Sequence, residues 1–253
     1  MAERKTVIVT GAGSGIGEAT AKRFADDGWN VTINGRRKEN LETLAAGLPA
    51  DQVLIVDGDV SQEDTTDRLI SETVARFGGI DCVVNNAGIA RVGPLGHLKR
   101  AQFEKMMAIN VTGIFALCTA ALPELRKTQG SIVNITSVSG IGGDWGMFGY
   151  NASKGAVSNM TRGMALDLGR EGIRVNAVAP SLTRSEMTDM ITGNDQMLEK
   201  FWNRMPLGRP AEPEEIASVV AFLAGPDAAF VNGVVLPVDG GVTASNGQPN
   251  FGG

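Results

Sequence analysis

A doubly wound α/β fold is what this sequence predicts, with about seven parallel strands and helices on both faces of the sheet. Three observations lead there. Short apolar, β-branched runs recur along the 253 residues, longer helix-period segments separate them, and a glycine-rich turn joins the first run to the first helical segment. The runs cover residues 5–10, 30–34, 52–56, 80–84, 130–136, 173–179 and 233–238. Their continuous apolar character marks strands covered on both sides, as parallel sheets require when crossover helices occupy both faces. Long helices are expected over 101–127 and 150–171; Ser153, Gly155, Ala156 and Gly163 in the second are small enough for close helix packing or for an oligomer face.

Nothing along the chain marks a boundary, so a single domain over 1–253 is expected. One segment fits the pattern less well. Residues 181–206 follow the sixth strand yet carry Met187, Met190, Ile191, Met197, Phe201 and Trp202 among polar residues, the composition of an adaptable substrate lid or of an ordinary packed helix pair. The tail from Thr243 to Gly253 is polar and glycine-rich, suited to disorder or to lying against a neighbouring subunit.

Composition excludes several functions. A net charge of −5 and a pI near 5.0 give the wrong sign of field for nucleic acid or an anionic membrane. Residues 1–5 lead into a strand without a secretory apolar region, and no apolar stretch is expected to reach membrane-spanning length, which suits the cytoplasm. Cys82 and Cys118 sit in apolar runs and are expected to pack as small buried hydrophobes. No metal site is expected from one histidine and two distant cysteines, and His97 lies past Pro94 in a surface loop with no acidic partner nearby. A serine hydrolase would need a histidine beside its nucleophile.

The turn after the first strand reads Thr10-Gly11-Ala12-Gly13-Ser14-Gly15-Ile16-Gly17. Strand, turn and helix in that order can aim the first helical amides at a dinucleotide pyrophosphate. The spacing is T-G-x-x-x-G-x-G and fails the commoner G-x-G-x-x-G form. At the end of the second strand, where an acidic side chain would grip a ribose 2′-hydroxyl, stands Asn34-Gly35-Arg36-Arg37. Two guanidinium groups suit a 2′-phosphate, so NADP is expected over NAD; solvated arginines are the plainer alternative. Asp59 and Val60 end the third strand region, where Asp59 either accepts from an adenine amino group or caps the following helix. Asn86, Ala87 and Gly88, after Asn85, end the fourth and are expected to form a wall of the cofactor site.

The proton chemistry centres on Tyr150, the only tyrosine, with Lys154 four residues on and therefore on the same helical face. A cation roughly 4 Å away at an effective dielectric of about 20 favours phenolate by about 4 kcal/mol, or about three pKa units before desolvation subtracts its share. Ser137 ends the fifth strand thirteen positions before Tyr150 and is expected to hold a substrate oxygen, with Ser139 the competing hydroxyl. Asn110, inside an apolar helix segment, is an expensive buried amide unless bonded, and is expected either to hold a water serving Lys154 or to satisfy a helix kink.

Taken in order, Thr10-Gly11-x-x-x-Gly15-Ile16-Gly17, Asn85-Asn86-Ala87-Gly88, Asn110, Ser137, Tyr150-x-x-x-Lys154 and Val238-Asp239-Gly240-Gly241 resemble the short-chain dehydrogenase/reductase family across the whole chain. The resemblance implies a Rossmann fold and an NAD(P)-dependent oxidoreductase, in the branch of 3-oxoacyl-carrier reductases and related carbonyl reductases. It implies Tyr150 as acid/base, Lys154 as holder of the nicotinamide ribose, Ser137 as substrate positioner and Asn110 as relay, often in a homotetramer. Gly11, Ser14, Gly15, Ile16, Gly17, Arg36, Arg37, Asp59, Val60, Asn86, Ala87, Gly88, Tyr150, Lys154, Pro180, Ser181 and Thr183 are the expected cofactor residues. Pro180-Ser181 replaces the Pro-Gly of many relatives, and Ser185 stands where a threonine often bonds the nicotinamide carboxamide. The partner expected is a small ketone or secondary alcohol, lined by Trp145, Met147, Phe148, Met187 and Trp202. An NAD-dependent alcohol or sugar dehydrogenase and a dinucleotide-binding sensor without turnover are the alternatives.

Overall fold

The computed structural model describes residues 4–248. Seven strands form one parallel sheet in the order β3-β2-β1-β4-β5-β6-β7. They are β1 (Thr6–Val9), β2 (Asn30–Gly35), β3 (Val53–Asp57), β4 (Cys82–Asn85), β5 (Ser131–Ile135), β6 (Arg174–Pro180) and β7 (Val235–Val238). Each of the seven expected runs became a strand whose ends lie within two residues of expectation. The order reverses between β1 and β4, so the crossovers on either side of that point leave in opposite directions and open a crevice at the carboxyl ends of the strands.

The helices are α1 (Gly15–Asp26), α2 (Lys38–Ala46), α3 (Glu63–Phe77), α4 (Arg100–Met107), α5 (Gly113–Thr128), α6 (Phe148–Leu168), α7 (Asp189–Thr192), α8 (Asp195–Trp202) and α9 (Pro213–Ala224). One face of the sheet is covered by α1, α2 and α9, whose Phe24, Leu41, Ile216 and Val220 pack with Val7, Val31 and Val84. The other is covered by α3, α5 and α6, where Leu69, Leu117, Leu125 and Val157 meet Ile8, Val83 and Ile132. Burying a side chain of this kind contributes ~1.5–3 kcal/mol, which fixes every strand face against water.

The expected helix over 101–127 is a continuous rod from Arg100 to Thr128 with a π-helical turn, Ala108–Thr112, joining α4 to α5. At 29 residues it is long and apolar enough to cross a bilayer, against the expectation that no stretch would be. Here Ile114, Leu117, Cys118, Ala121 and Leu125 bury its apolar stripe against the sheet. Helix α6 begins at Phe148 and gives way to a 3₁₀ turn, Gly169–Glu171. Its Ser153 faces inward, whereas a side chain at Gly155 or Gly163 would meet nothing within 4 Å. Both cysteines are buried and free, and burial pushes each thiol up to about 12. His97 is exposed. At the start of the tail, Asp239 accepts from the Thr243 amide at 2.8 Å; residues 249–253 lie outside the described residues.

Candidate active site

A cleft of about 640 Å³ opens at the carboxyl ends of the strands, at the point where the sheet order reverses. Its floor is the glycine-rich turn. Gly11 has φ +65 and Gly15 φ +56, conformations that favour glycine, and they carry the chain from β1 into α1. Asn86 locks this turn to the fourth strand: its Nδ2 donates to the carbonyls of Thr10 at 3.0 Å and Gly11 at 3.1 Å. Thr10 Oγ1 in return accepts from the amides of Asn86 at 3.0 Å and Ala87 at 3.1 Å. A Cβ on Gly17 would sit 2.3 Å from the Gly11 carbonyl oxygen and 2.4 Å from Asn86 Nδ2. Gly17 is therefore not a cleft residue. It lies beneath the turn and lets α1 approach closely enough for its N-terminus to face the cavity.

Arg36 and Arg37 line the cleft beside Asp59 and Val60, as do Gly88, Pro180, Ser181 and Thr183. Arg37 Nη2 donates to Glu186 Oε2 at 2.6 Å, tying the β2–α2 turn to the segment after β6. Asp59 Oδ1 accepts from the Ser61 amide at 2.9 Å and the Ser61 hydroxyl at 2.7 Å, so the carboxylate organises the entry to α3 while still facing the cleft. Burial raises the Asp59 carboxyl, but the two Ser61 bonds and the Arg36 charge outweigh it, leaving its pKa below the ordinary value. Ser185 bonds Thr188 hydroxyl to hydroxyl at 3.1 Å, and both line the same wall.

At the other end of the cleft Ser137, Tyr150 and Lys154 come together. Ser137 leaves β5 in extended backbone, and α6 starts close enough for its hydroxyl to act on the Tyr150 phenol. Ser139 does not line the cleft; it stands behind Ser137, whose hydroxyl donates to Ser139 Oγ at 3.0 Å. Lys154 is buried and its Nζ donates to the Ile135 carbonyl at 2.7 Å, 5.8 Å from the centre of the Tyr150 ring.

The electrostatics differ from the sequence expectation. Burial pushes the Tyr150 phenol up to about 12; the Ser137 hydrogen bond pulls down, and the Asp144 charge adds to the rise. Lys154 does not offset this. Burial brings the ammonium itself down to about 8. The pairwise estimate weighed one cation against one phenol, whereas desolvation penalises the charged form of both.

Asn110 was expected to hold a water or to satisfy a helix kink, and its side-chain bonds go to the chain. It is fully buried within the π turn and does not line the cleft. Its Oδ1 accepts from the Ile89 amide at 2.9 Å, and its Nδ2 donates to the Ile89 carbonyl at 2.9 Å and to Ser153 Oγ at 3.0 Å. The amide fastens the segment after Gly88 to α6. Of the expected apolar wall, Met187 alone lines the cleft; Trp145 is wholly exposed, and Phe148 stacks on Phe103 at 6.2 Å. Ile135 and Thr136 line the cleft and Glu186 crosses its mouth, yet none was singled out in the sequence, because a main-chain carbonyl and a surface carboxylate carry no motif.

The family model described as enoyl-(acyl carrier protein) reductase matches residues 11–243, a span that includes the turn and the Ser137, Tyr150 and Lys154 cluster. The chain belongs to the short-chain dehydrogenase/reductase family. A meso-2,3-butanediol dehydrogenase of Serratia marcescens is 44% identical over 249 residues, covering 98% of each chain. A glucose 1-dehydrogenase of Gluconobacter oxydans is 39% identical over 244 residues, covering 94% of this chain and 92% of that one. A 3-oxoacyl-[acyl-carrier-protein] reductase of Thermotoga maritima is 39% identical over 246 residues, 95% of this chain and 98% of its own. The crystal structure of a short-chain dehydrogenase/reductase named as a glucose/ribitol dehydrogenase, from Brucella melitensis, superposes with a TM-score of 0.90 at 35% identity, over 95% of this chain and 97% of that one. As a short-chain dehydrogenase/reductase, the protein is an oxidoreductase that uses NAD(P) on small molecules. The residues present suit that cofactor: a turn in which side chains are excluded by neighbouring backbone, a twelve-residue helix with its N-terminus at the cleft, and two arginines lining the cleft after β2.

Proposed function

We propose that this enzyme interconverts a ketone and a secondary alcohol with NADP(H), using Tyr150 as the proton donor and acceptor. The observation that carries the reading is the meeting of Ser137, Tyr150 and Lys154 in the same cleft as the glycine-rich turn. When bound, the cofactor supplies or receives the hydride. The chain does the rest: the amides at the start of α1 bind phosphate, Lys154 holds the nicotinamide ribose, Ser137 orients the substrate oxygen, and Tyr150 moves its proton. Asn110 acts from behind, holding Ile89 and Ser153 so that the wall and α6 keep their distance. Gly11, Ser14, Gly15, Ile16, Asn86, Ala87 and Gly88 shape the dinucleotide floor, with Pro180, Ser181 and Thr183 opposite.

Arg36 and Arg37 support NADP, since they provide charge and donors for a 2′-phosphate and no acidic side chain follows β2 directly. Glu186 favours NAD as the second reading, because it already occupies Arg37. A small carbonyl or hydroxyl substrate is supported by relatives named for butanediol and glucose. The segment 181–206 is proposed as the lid, its inner edge at Ser185, Glu186 and Met187 facing the cleft. We also propose one domain and a homotetramer, the latter supported by exposed Phe115 on α5 and Leu166 beside Gly163 on α6. Two buried free thiols suit a reducing cytoplasm.

The test is a panel of ketones, diols and sugars with NADP(H) and NAD(H), run alongside Tyr150→Phe. Turnover favouring NADP(H), abolished in the variant while cofactor still binds, supports the reading. Cofactor binding without turnover across the panel would identify a sensor instead, and undiminished turnover in Tyr150→Phe would remove the tyrosine from the chemistry.

A further inference from the structure

Behind the reacting phenol, a series of hydroxyls runs outward to a carboxylate at the surface. Ser137 lines the cleft with Tyr150, close enough to pull the phenol pKa down, and donates to Ser139 Oγ at 3.0 Å; Ser139 Oγ donates to Asp144 Oδ2. Ser137 and Ser139 are buried, and Asp144 is exposed. The Ser139 amide donates to Ser137 Oγ at 3.1 Å, and the Asn151 side chain donates to the Asp144 carbonyl at 3.0 Å, so the turn carrying the carboxylate is pinned to α6.

The polarity of this series is determined at its outer end. A carboxylate only accepts, so Ser139 must give it a proton and is then free to accept from Ser137; Ser137 can accept from a neutral Tyr150 phenol, or turn its own proton to a Tyr150 phenolate and lower that pKa. With the phenol neutral, the serine donors point away from the cleft.

We propose that Ser139 and Asp144 form, with Ser137, a proton conduit between Tyr150 and solvent, acting through Ser137 without touching substrate. The inference rests on the oxidoreductase reading with Tyr150 as acid/base. During alcohol oxidation the substrate C–H bond breaks with its hydride passing to the oxidised cofactor, and the substrate O–H proton passes to the Tyr150 phenolate. The phenol proton then moves to Ser137 Oγ as the Ser137 proton moves to Ser139 and the Ser139 proton to Asp144. Each serine gains one proton and loses one, and the neutral Asp144 acid releases its proton to water. Ketone reduction runs the same transfers inward. The charged groups against Tyr150 are Lys154 and Asp144, and Asp144 is the one at the surface.

Two roles for Asp144 make opposite predictions. Its negative charge disfavours phenolate, so a purely electrostatic Asp144 would make Asp144→Asn faster in alcohol oxidation and leave Ser139→Ala unchanged. A conduit slows both. The experiment is single-turnover formation of reduced cofactor in the full-length enzyme, in light and heavy water, for Ser139→Ala, Ser139→Thr, Asp144→Asn and Tyr150→Phe. Cofactor affinity and Tm are measured on the same samples. Expected are losses of about tenfold or more in Ser139→Ala and Asp144→Asn, within the range of general acid/base contributions. The solvent isotope effect should change, cofactor affinity should hold, Ser139→Thr should recover the rate, and added imidazole should partly rescue Asp144→Asn. Wild-type rates in Ser139→Ala, or losses that track affinity and Tm without rescue by threonine, overturn the conduit. Activity in Tyr150→Phe would overturn the reading beneath it, a distinct result.

Discussion

Arg37 and Glu186 join across the mouth of the cleft, Nη2 to Oε2 at 2.6 Å, so a guanidinium suited to a 2′-phosphate already holds a carboxylate from the opposite wall. Both side chains are more than half exposed, and pairs of that kind are worth ~0.2–1 kcal/mol. Glu186→Gln should therefore tighten NADP binding roughly two- to fivefold relative to NAD, by releasing Arg37 and removing a charge that repels phosphate. Fluorescence titration with both cofactors checks this, and an unchanged ratio would separate Glu186 from cofactor choice.

Gly17 makes the second prediction. The Gly17→Ala methyl would overlap the Gly11 carbonyl, a backbone atom held by Asn86, and neither can yield alone. Overpacking of this sort costs ~1–3 kcal/mol. Tm should fall by several degrees and cofactor affinity with it. Retention of both would mean that the turn is softer than its hydrogen bonds suggest.

Asn110→Ala leaves the Ile89 amide and carbonyl without their side-chain partner. Unsatisfied buried groups cost ~1–3 kcal/mol each, so this change should destabilise the fold more than most surface substitutions and lower kcat through a displaced Lys154 wall. Thermal unfolding and turnover, measured together, decide it; a silent substitution would refute the fastening role.

The pH dependence follows from two opposed shifts. Lys154 is lowered from 10.5 to about 8, so between those values the unfolded chain binds more protons and stability rises with pH. Tyr150 is raised from 10.0 to about 12, so above pH 10 the folded chain binds more protons and stability falls. Lys154→Met should then raise Tm at neutral pH while abolishing turnover, and should flatten the rise above pH 8. For the wild type, kcat/KM for alcohol oxidation should climb with pH from roughly 6 to 9, because phenolate is scarce below the phenol pKa. A flat profile would mean that the free enzyme holds its phenolate already.

Seven strands and their parallel sense were legible because runs buried on both faces must be apolar throughout, and that leaves a mark on the chain itself. The glycine turn, Arg36, Arg37, Ser137, Tyr150 and Lys154 stood out for a related reason, as particular residue types at fixed spacing, and the fold brings them to one cleft. What the sequence left open was everything set by desolvation and by partners far along the chain. Ser137 and Ser139 were interchangeable on paper until the turn after β5 turned one toward the cleft and the other toward Asp144. Asn110 could be read only as a buried amide in need of partners until Ile89 and Ser153 supplied them. The sign of the Tyr150 shift was decided by burial, a property of the packed helix and sheet together. Local residue identity determined which chemistry this protein carries; the tertiary structure alone decided the protonation energies and pairings, because the free energy of a charge depends on what surrounds it in space.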